Sequence, residues 1–228
     1  MFTEKMLERY DSRVYPIKGT VIICPGGGYH MLAPREAQPV AKAWNDIGYN
    51  AFILNYTVTS KPLMTMPLNE LAQAVSAVRM EMEQNKLIKS PIAICGFSAG
   101  GHLAASLGVL WYRSDLIKKN LPTSCRPDAV VIGYPVVSME KDIHPASRSN
   151  LIGEDAKLAD TFSLEKQCTE KSSPMFIWST FTDEKIPVYN SLKLAESLHR
   201  AGVDCELHIF HNGKHGMSIA TKAVESIE

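Results

Sequence analysis

The feature that most constrains the fold is a strand, a tight turn and a helix that follow one another at residues 92–107. The apolar run 92–95 leads into Gly-Phe-Ser-Ala-Gly at 96–100, and small helix-forming residues continue from 102 to 107. A G-x-S-x-G sequence in this setting is typical of a nucleophile elbow, where a strained backbone points the serine hydroxyl outward at the end of a sheet. Side chains at 96 and 100 would collide with the neighbouring strand and helix, which explains the glycines. The alternative is a glycine-rich turn with an incidental serine, but the flanking pattern favours Ser98 as a nucleophile.

A serine hydroxyl is a weak nucleophile, so it requires a base and an acid that orients the base. His215 is the candidate base because it follows the strand-like run 205–210. Asp183 is the candidate acid because it follows the apolar run 175–178. The carboxyl ends of strands in an open α/β sheet converge on one crevice, so these side chains are expected to meet Ser98 there.

Neighbouring residues compete for both roles. His211 lies in the same loop as His215, which we favour because a glycine follows it and leaves the chain free to bend toward the site. Glu184 competes with Asp183 but lies one residue deeper into the turn. His102, one helical turn beyond the serine, is interpreted as a packed or hydrogen-bonded helix residue.

A glycine-rich loop at residues 25–29 follows another buried strand at 20–24. Glycines after a strand let backbone N–H groups approach a ligand closely, so we assign the oxyanion hole to the N–H of Gly27 or Gly28 together with that of Ala99. A phosphate-binding loop is the weaker alternative because neither G-x-G-x-x-G nor G-x-x-x-x-G-K-[ST] occurs. With no C-x-x-C either, the sequence predicts no cofactor and no metal.

Strand-like runs alternate with helical stripes along the chain. The runs lie at 20–24, 51–56, 91–95, 129–133, 174–179 and 205–210, and apolar residues recur at three- and four-residue spacing near 40–47, 68–82 and 188–198. Continuous apolar strands between amphipathic helices predict an α/β fold with a mostly parallel central sheet of about six core strands and helices on both faces.

The chain of 228 residues is expected to form a single domain over 1–228. The irregular segment 134–173 is interpreted either as an insertion that covers the site or as a surface excursion with one short helix. Acidic and basic residues are balanced at 24 each, so nothing suggests nucleic acid or a membrane as a partner. Residues 1–10 are too charged for a signal peptide, and the five cysteines show no disulfide pattern. We therefore expect a reduced, cytoplasmic protein, with a secreted protein supplied without its leader as the alternative.

Several of these motifs together resemble the α/β-hydrolase serine esterases. The resemblance is carried by Pro25-Gly-Gly-Gly-Tyr29, Arg35-Glu36, Gly96-Phe-Ser-Ala-Gly-Gly-His-Leu-Ala104, Thr182-Asp183 and His215-Gly216, and it extends from about residue 20 to about residue 220. The most similar branch is the acetyl-xylan and feruloyl esterase-like group, beside the hormone-sensitive-lipase-like carboxylesterases. The resemblance implies the α/β-hydrolase fold with abbreviated N-terminal strands. It also implies a Ser98–His215–Asp183 triad and an acyl-enzyme.

The sequence thus predicts a serine carboxylesterase for short-chain acyl esters, above all acetyl esters, with an acylated sugar as a candidate small-molecule substrate. A serine peptidase or amidase of the same fold is one alternative. A catalytically inactive hydrolase-fold binding protein is the other. The oligomeric state is not predicted.

Overall fold

The computed structural model of the protein describes residues 3–59, 61–85 and 90–221. Its strands are β1 (Leu7–Tyr10), β2 (Gly19–Cys24), β3 (Tyr49–Leu54), β4 (Ile92–Phe97), β5 (Ala129–Gly133), β6 (Met175–Thr180) and β7 (Cys205–Phe210). They form one sheet in the order β1-β3-β2-β4-β5-β6-β7. β1 runs antiparallel to β3, and every other neighbouring pair is parallel. The mostly parallel sheet predicted from six apolar runs is confirmed, and β1 is a short N-terminal addition at its edge.

The helices cover both faces of this sheet, as predicted. They are α1 (Gln38–Asp46), α2 (Met66–Gln84), α3 (Ser98–Leu110), α4 (Pro145–Ile152), α5 (Ala156–Thr161) and α6 (Tyr189–Arg200), with 3-10 turns at Glu4–Met6, Pro34–Glu36 and Leu164–Lys166. Alternate side chains of β2 point to opposite faces. Ile22 packs in the larger core with α2, α3 and α6, whereas Val21 packs with α1 on the other face. Among the described helices, none combines the length and apolar character that crossing a bilayer would require.

Strand register brings the candidate site residues to one edge of the sheet. Cys24, the last residue of β2, pairs with Gly96 near the end of β4, so the glycine loop and the serine turn leave the sheet at the same level. Thr180 at the end of β6 pairs with Phe210 at the end of β7, so the two following loops also start side by side. The loops that carry all the predicted site residues therefore lie at the carboxyl edge of the parallel strands, where ligands bind in open α/β sheets.

The segment 134–173 is more regular than the sequence predicts. It contains α4 and α5, and the cap of each helix is a polar side chain, His144 for α4 and Asp155 for α5, that accepts a backbone N–H. Met139, Leu151 and Phe162 are buried in the larger core. The prediction of a long irregular segment is therefore wrong, and the apolar side chains within it are core residues.

Candidate active site

Ser98 occupies a sharp turn between β4 and α3. Its φ of +53° lies in the left-handed region that residues other than glycine rarely adopt, and the residue is 5% exposed. A β-carbon on Gly96 would stand 2.3 Å from the Gly100 carbonyl oxygen, and one on Gly100 would stand 2.0 Å from that of Cys24. Helix α3 therefore starts in direct backbone contact with β2 and β4, and this packing holds the strained serine in place.

The structure brings Ser98, His215 and Asp183 into one hydrogen-bonded series. His215 Nε2 lies 2.9 Å from Ser98 Oγ, and His215 Nδ1 lies 2.8 Å from Asp183 Oδ2. A carboxylate can only accept, so the hydrogen-bond network assigns the imidazole proton to Nδ1 and leaves Nε2 to accept the serine O–H. This arrangement can remove the serine proton as the hydroxyl attacks a carbonyl carbon.

Asp183 is held by the backbone that follows it. Its Oδ1 accepts the N–H groups of Lys185 and Ile186, each at 2.9 Å, while the carboxylate is fully buried. These two bonds to backbone N–H groups fix the orientation of the carboxylate. Of the competing residues, Glu184 and His211 are both exposed. The structure places Asp183 and His215, rather than these neighbours, beside the serine.

The glycine loop passes next to the serine. A β-carbon on Gly26 would lie 3.0 Å from Ser98 Cβ. Gly27 and Gly28 have φ angles of +124° and +64°, and within the described residues their N–H groups have no acceptor. The N–H of Ala99 belongs to the first turn of α3, where helix geometry supplies no acceptor. The N–H groups assigned to the oxyanion hole thus lie on the two backbone segments that flank Ser98.

Helix α4 borders this loop. Asn150 donates its side-chain N–H to the Gly28 carbonyl at 2.8 Å, and a β-carbon on Gly28 would be 3.7 Å from His144 Cε1. The segment 134–173 therefore contacts the predicted oxyanion loop.

The imidazole of His144 has a defined tautomer. Its Nδ1 accepts the Ser147 N–H at 3.3 Å and lies 2.8 Å from Ser147 Oγ, so the ring proton is on Nε2. Burial lowers the pKa of His144, and repulsion from His215, when that ring is protonated, and from Lys185 lowers it further. A neutral imidazole next to the site therefore has a free N–H at Nε2, which has no acceptor among the described residues.

His102 links three parts of the site's surroundings. It is completely buried on α3, with Nδ1 2.8 Å from the Tyr29 hydroxyl and Nε2 2.9 Å from the Phe162 carbonyl oxygen. Burial lowers the pKa of His102 to about 4, so the ring is neutral and donates from Nε2 to the carbonyl. It is a buried, hydrogen-bonded helix residue, as predicted from the sequence.

Three residues around the site, Glu36, Tyr134 and His144, are not among the site residues predicted from sequence, although Glu36 belongs to a motif that carries the family resemblance. Glu36 is buried and accepts the Gly26 N–H at 2.7 Å, and Tyr134 donates its hydroxyl to the same carboxylate at 2.9 Å. A signal for Tyr134 was available, because it directly follows β5, between the strands that lead to the serine and the acid. Among the described residues, no group of His, Cys, Asp or Glu could hold a metal ion.

Comparisons with known proteins place this geometry in a family. The BD-FAE family profile matches residues 11–198, a range that includes Ser98 and Asp183. The acetyl ester-xyloside bifunctional hydrolase of Caldicellulosiruptor lactoaceticus superposes with a TM-score of 0.85 at 37% identity, over 97% of this chain and 81% of that one.

Two relatives are known from sequence. Endo-1,4-beta-xylanase B of Butyrivibrio fibrisolvens is 34% identical over 88% of this chain, and the acetylxylan esterase of Xylanibacter ruminicola is 29% identical over 90% of it. The chain spans 32% of the xylanase and 42% of the esterase. With its parallel sheet and serine elbow, this protein has the α/β-hydrolase fold and belongs to the BD-FAE family.

Proposed function

We propose that this protein is a serine carboxylesterase that hydrolyses short acyl esters, principally acetyl esters of carbohydrate. The observation that carries the proposal is the hydrogen-bonded series from Ser98 Oγ through His215 to Asp183, with distances of 2.9 Å and 2.8 Å. It starts at a strained turn beside a glycine loop in which the N–H groups of Gly27 and Gly28 have no acceptor among the described residues and can bind an oxyanion. Acyl transfer requires a nucleophile, a base with its orienting acid, and an oxyanion hole in one place.

The reaction follows from this geometry. His215 Nε2 takes the Ser98 proton while Oγ bonds to the ester carbonyl carbon, and the carbonyl oxygen becomes an oxyanion facing the N–H groups of Gly27 or Gly28 and Ala99. The same Nε2–H then protonates the alkoxy oxygen as the carbon–oxygen bond breaks, which releases the alcohol and leaves an acyl-serine. Water repeats the sequence and releases the acid. Asp183 stays ionised and stabilises the imidazolium at each stage.

The named activities of the relatives support the choice of substrate. One relative is an acetylxylan esterase and another an acetyl ester-xyloside bifunctional hydrolase. Glycoside hydrolysis normally uses two carboxylates on either side of the scissile bond. Here Asp183 is bonded to His215 and to two backbone N–H groups, an arrangement suited to orienting a base. The site therefore favours the ester bond of an acetylated sugar over its glycosidic bond.

A substrate panel tests the proposal. The purified protein is assayed with 4-nitrophenyl acetate, butyrate and decanoate, a feruloyl ester, an acetylated xylo-oligosaccharide and a peptide anilide. We expect acetyl esters to be turned over fastest. A longer acyl chain would gain about 0.8 kcal/mol of binding free energy per methylene only if the protein buried that methylene against apolar surface. Faster cleavage of the anilide would establish the amidase instead, and a kcat/KM that climbs steadily to decanoate would contradict the short-chain preference.

Labelling by a fluorophosphonate separates an enzyme from an inactive binding protein. The wild-type protein should become labelled at Ser98, and Ser98→Ala should lose label and lower kcat by at least about 10³-fold. Ser106→Ala is the matched control, because Ser106 is buried on the same helix and its hydroxyl bonds, within the described part of the chain, only the His102 carbonyl oxygen. Equal activity in the two variants, or an unlabelled and inactive wild type, would refute the proposal.

A further inference from the structure

Glu36 is a buried carboxylate whose two oxygens bind different parts of the chain. The residue is 1% exposed. Its Oε2 accepts the N–H of Gly26 at 2.7 Å, and its Oε1 accepts the hydroxyl of Tyr134 at 2.9 Å. Gly26 immediately precedes the glycines assigned to the oxyanion hole, so one oxygen of Glu36 holds the glycine loop directly.

Tyr134 extends this contact to the loop that carries the base, residues 211–218. Its hydroxyl accepts the N–H of Ser218 at 2.7 Å, and its ring lies edge-on to His215 with centroids 5.0 Å apart. Burial, reinforced by the charge of Glu36, raises the pKa of Tyr134 well above its usual value. The phenol therefore stays protonated and can donate to Glu36 while it accepts from Ser218.

Arg35 adds a second connection between the same two regions. Its Nε donates to the Gly216 carbonyl oxygen at 2.8 Å, and its own carbonyl oxygen accepts the Ser218 hydroxyl at 2.7 Å. A β-carbon on Gly216 would be 2.4 Å from an Arg35 side-chain nitrogen, so the two are in close contact. Arg35 thus contacts the base loop on both sides of Met217, whereas Glu36 reaches that loop through Tyr134.

Without these side-chain connections, mainly the sheet would fix the position of the glycine loop relative to the base loop. They follow β2 and β7, which are separated in the sheet by β4, β5 and β6. At about 4.8 Å per strand, the parent strands are about 19 Å apart. Yet the base and the oxyanion donors must act on neighbouring atoms of one substrate, and a misplacement of about 1 Å can cost about 10²-fold in rate.

We propose that Glu36 is a positioning residue that, through Tyr134, holds the oxyanion loop and the base loop in the relative placement that catalysis needs. The inference rests on the proposed esterase function. Glu36 does not contact the triad side chains itself. It acts through the backbone of Gly26 and through the phenol that packs against His215.

The test uses Glu36→Gln and Tyr134→Phe. The glutamine side chain has a similar size but only one acceptor oxygen, so either the Gly26 N–H or the Tyr134 hydroxyl would face an NH₂ group. Tyr134→Phe keeps the ring against His215 and removes the hydroxyl. We expect each variant to lower kcat for 4-nitrophenyl acetate by about 10²-fold with KM changed less than about threefold, the signature of an arrangement needed in the transition state. The double variant should fall no further than about threefold below either single variant, because both remove the same connection.

Glu70→Gln is the matched control for a purely structural effect. Glu70 is also 1% exposed, and its two oxygens accept a backbone N–H and a hydroxyl, both from Thr57, at 2.8 Å and 2.6 Å. Glu36→Gln and Glu70→Gln should lower the midpoint of urea unfolding to a similar extent, but only Glu36→Gln should lower kcat.

Two results would overturn the inference. One is a Glu36→Gln enzyme whose kcat matches that of Glu70→Gln, and the other is a Tyr134→Phe enzyme with wild-type kcat. Tyr134→Phe gives the answer if Glu36→Gln does not fold. If the wild type neither hydrolyses esters nor reacts with a fluorophosphonate, the proposed function itself fails, and that outcome is distinct from an active wild type with active variants.

Discussion

Gly100 lies so close to Cys24 that a β-carbon on Gly100 would stand 2.0 Å from the Cys24 carbonyl oxygen. The contact joins the first turn of α3 to the end of β2, which continues into the glycine loop. This close backbone approach sets the position of the nucleophile relative to the oxyanion loop, and any side chain at Gly100 would prevent it.

Gly100→Ala should consequently destabilise the protein by about 3 kcal/mol or more, since backbone atoms on both sides would have to move. Gly202→Ala is the control. Gly202 also has a restricted backbone conformation, with φ +71°, but a β-carbon there would meet nothing within 4 Å. Gly202→Ala should lower the free energy of unfolding by only about 1 kcal/mol, the strain of an alanine in the left-handed conformation. Urea unfolding measures both, and equal free energies of unfolding would show that the contact does not restrict Gly100.

The triad geometry predicts how the loop residues should differ. His215→Ala should lose nearly as much activity as Ser98→Ala, because members of a triad act as a unit. Asp183→Asn should lower kcat by about 10⁴-fold with little change in KM, since an amide can no longer select the Nδ1–H tautomer. His211→Ala is the control, and it should keep most of the wild-type activity because His211 is exposed. An inactive His211→Ala beside an active His215→Ala would move the base four residues upstream.

The parts of the site that could be predicted from sequence are those in which one short segment determines its own geometry. The elbow at residues 96–100 and the glycine loop at 25–29 each follow an apolar strand, and steric exclusion of side chains leaves a local glycine pattern. The strands β2 to β6 were recognisable because parallel strands buried on both faces are largely apolar, and β7, at the edge, was recognisable from apolar residues that alternate with exposed ones. β1 was not, because Leu7–Tyr10 reads Leu-Glu-Arg-Tyr and lies partly exposed at the sheet edge.

Contacts between distant segments could not be predicted in the same way. Tyr134 and Glu36 are 98 residues apart in the chain, and no sequence motif contains both of them. Their hydrogen bond depends on the strand order, which places β5 between the strands that lead to Ser98 and Asp183. The helices of 134–173 are short, so they show too few turns for an apolar stripe, and their polar caps were the signal that remained.

The free Nε2–H of His144 should contribute to sugar binding. His144→Asn keeps an acceptor for the Ser147 N–H, as a good helix cap does, but removes the imidazole N–H beside the glycine loop. We expect KM for an acetylated xylo-oligosaccharide to rise up to about tenfold, the value of one hydrogen bond, with little change for 4-nitrophenyl acetate. His199→Asn, at an exposed histidine on α6, is the control. If the ratio of KM for the oligosaccharide to KM for 4-nitrophenyl acetate were the same in His144→Asn as in the wild type, a hydrogen bond from His144 to the sugar would be excluded.

The buried His102 should make the protein sensitive to acid. Burial lowers the pKa of His102 from 6.5 to about 4, so between these values the unfolded chain binds a proton that the folded protein does not. A group of this kind contributes stability above its unfolded pKa, and that contribution is lost as pH falls toward the folded value. At about 1.4 kcal/mol per pH unit, the loss amounts to about 3 kcal/mol.

His102→Gln isolates this contribution, because glutamine can still accept from Tyr29 or donate to the Phe162 carbonyl oxygen but does not titrate. The variant should be less stable than the wild type at about pH 7, by about 1 kcal/mol for each hydrogen bond that it makes poorly. Its free energy of urea unfolding should then fall less steeply toward about pH 4, so that the two curves converge. His199→Gln, which replaces an exposed histidine, should run parallel to the wild type. If the His102→Gln curve also ran parallel to that of the wild type, the acid sensitivity would have to arise from other groups.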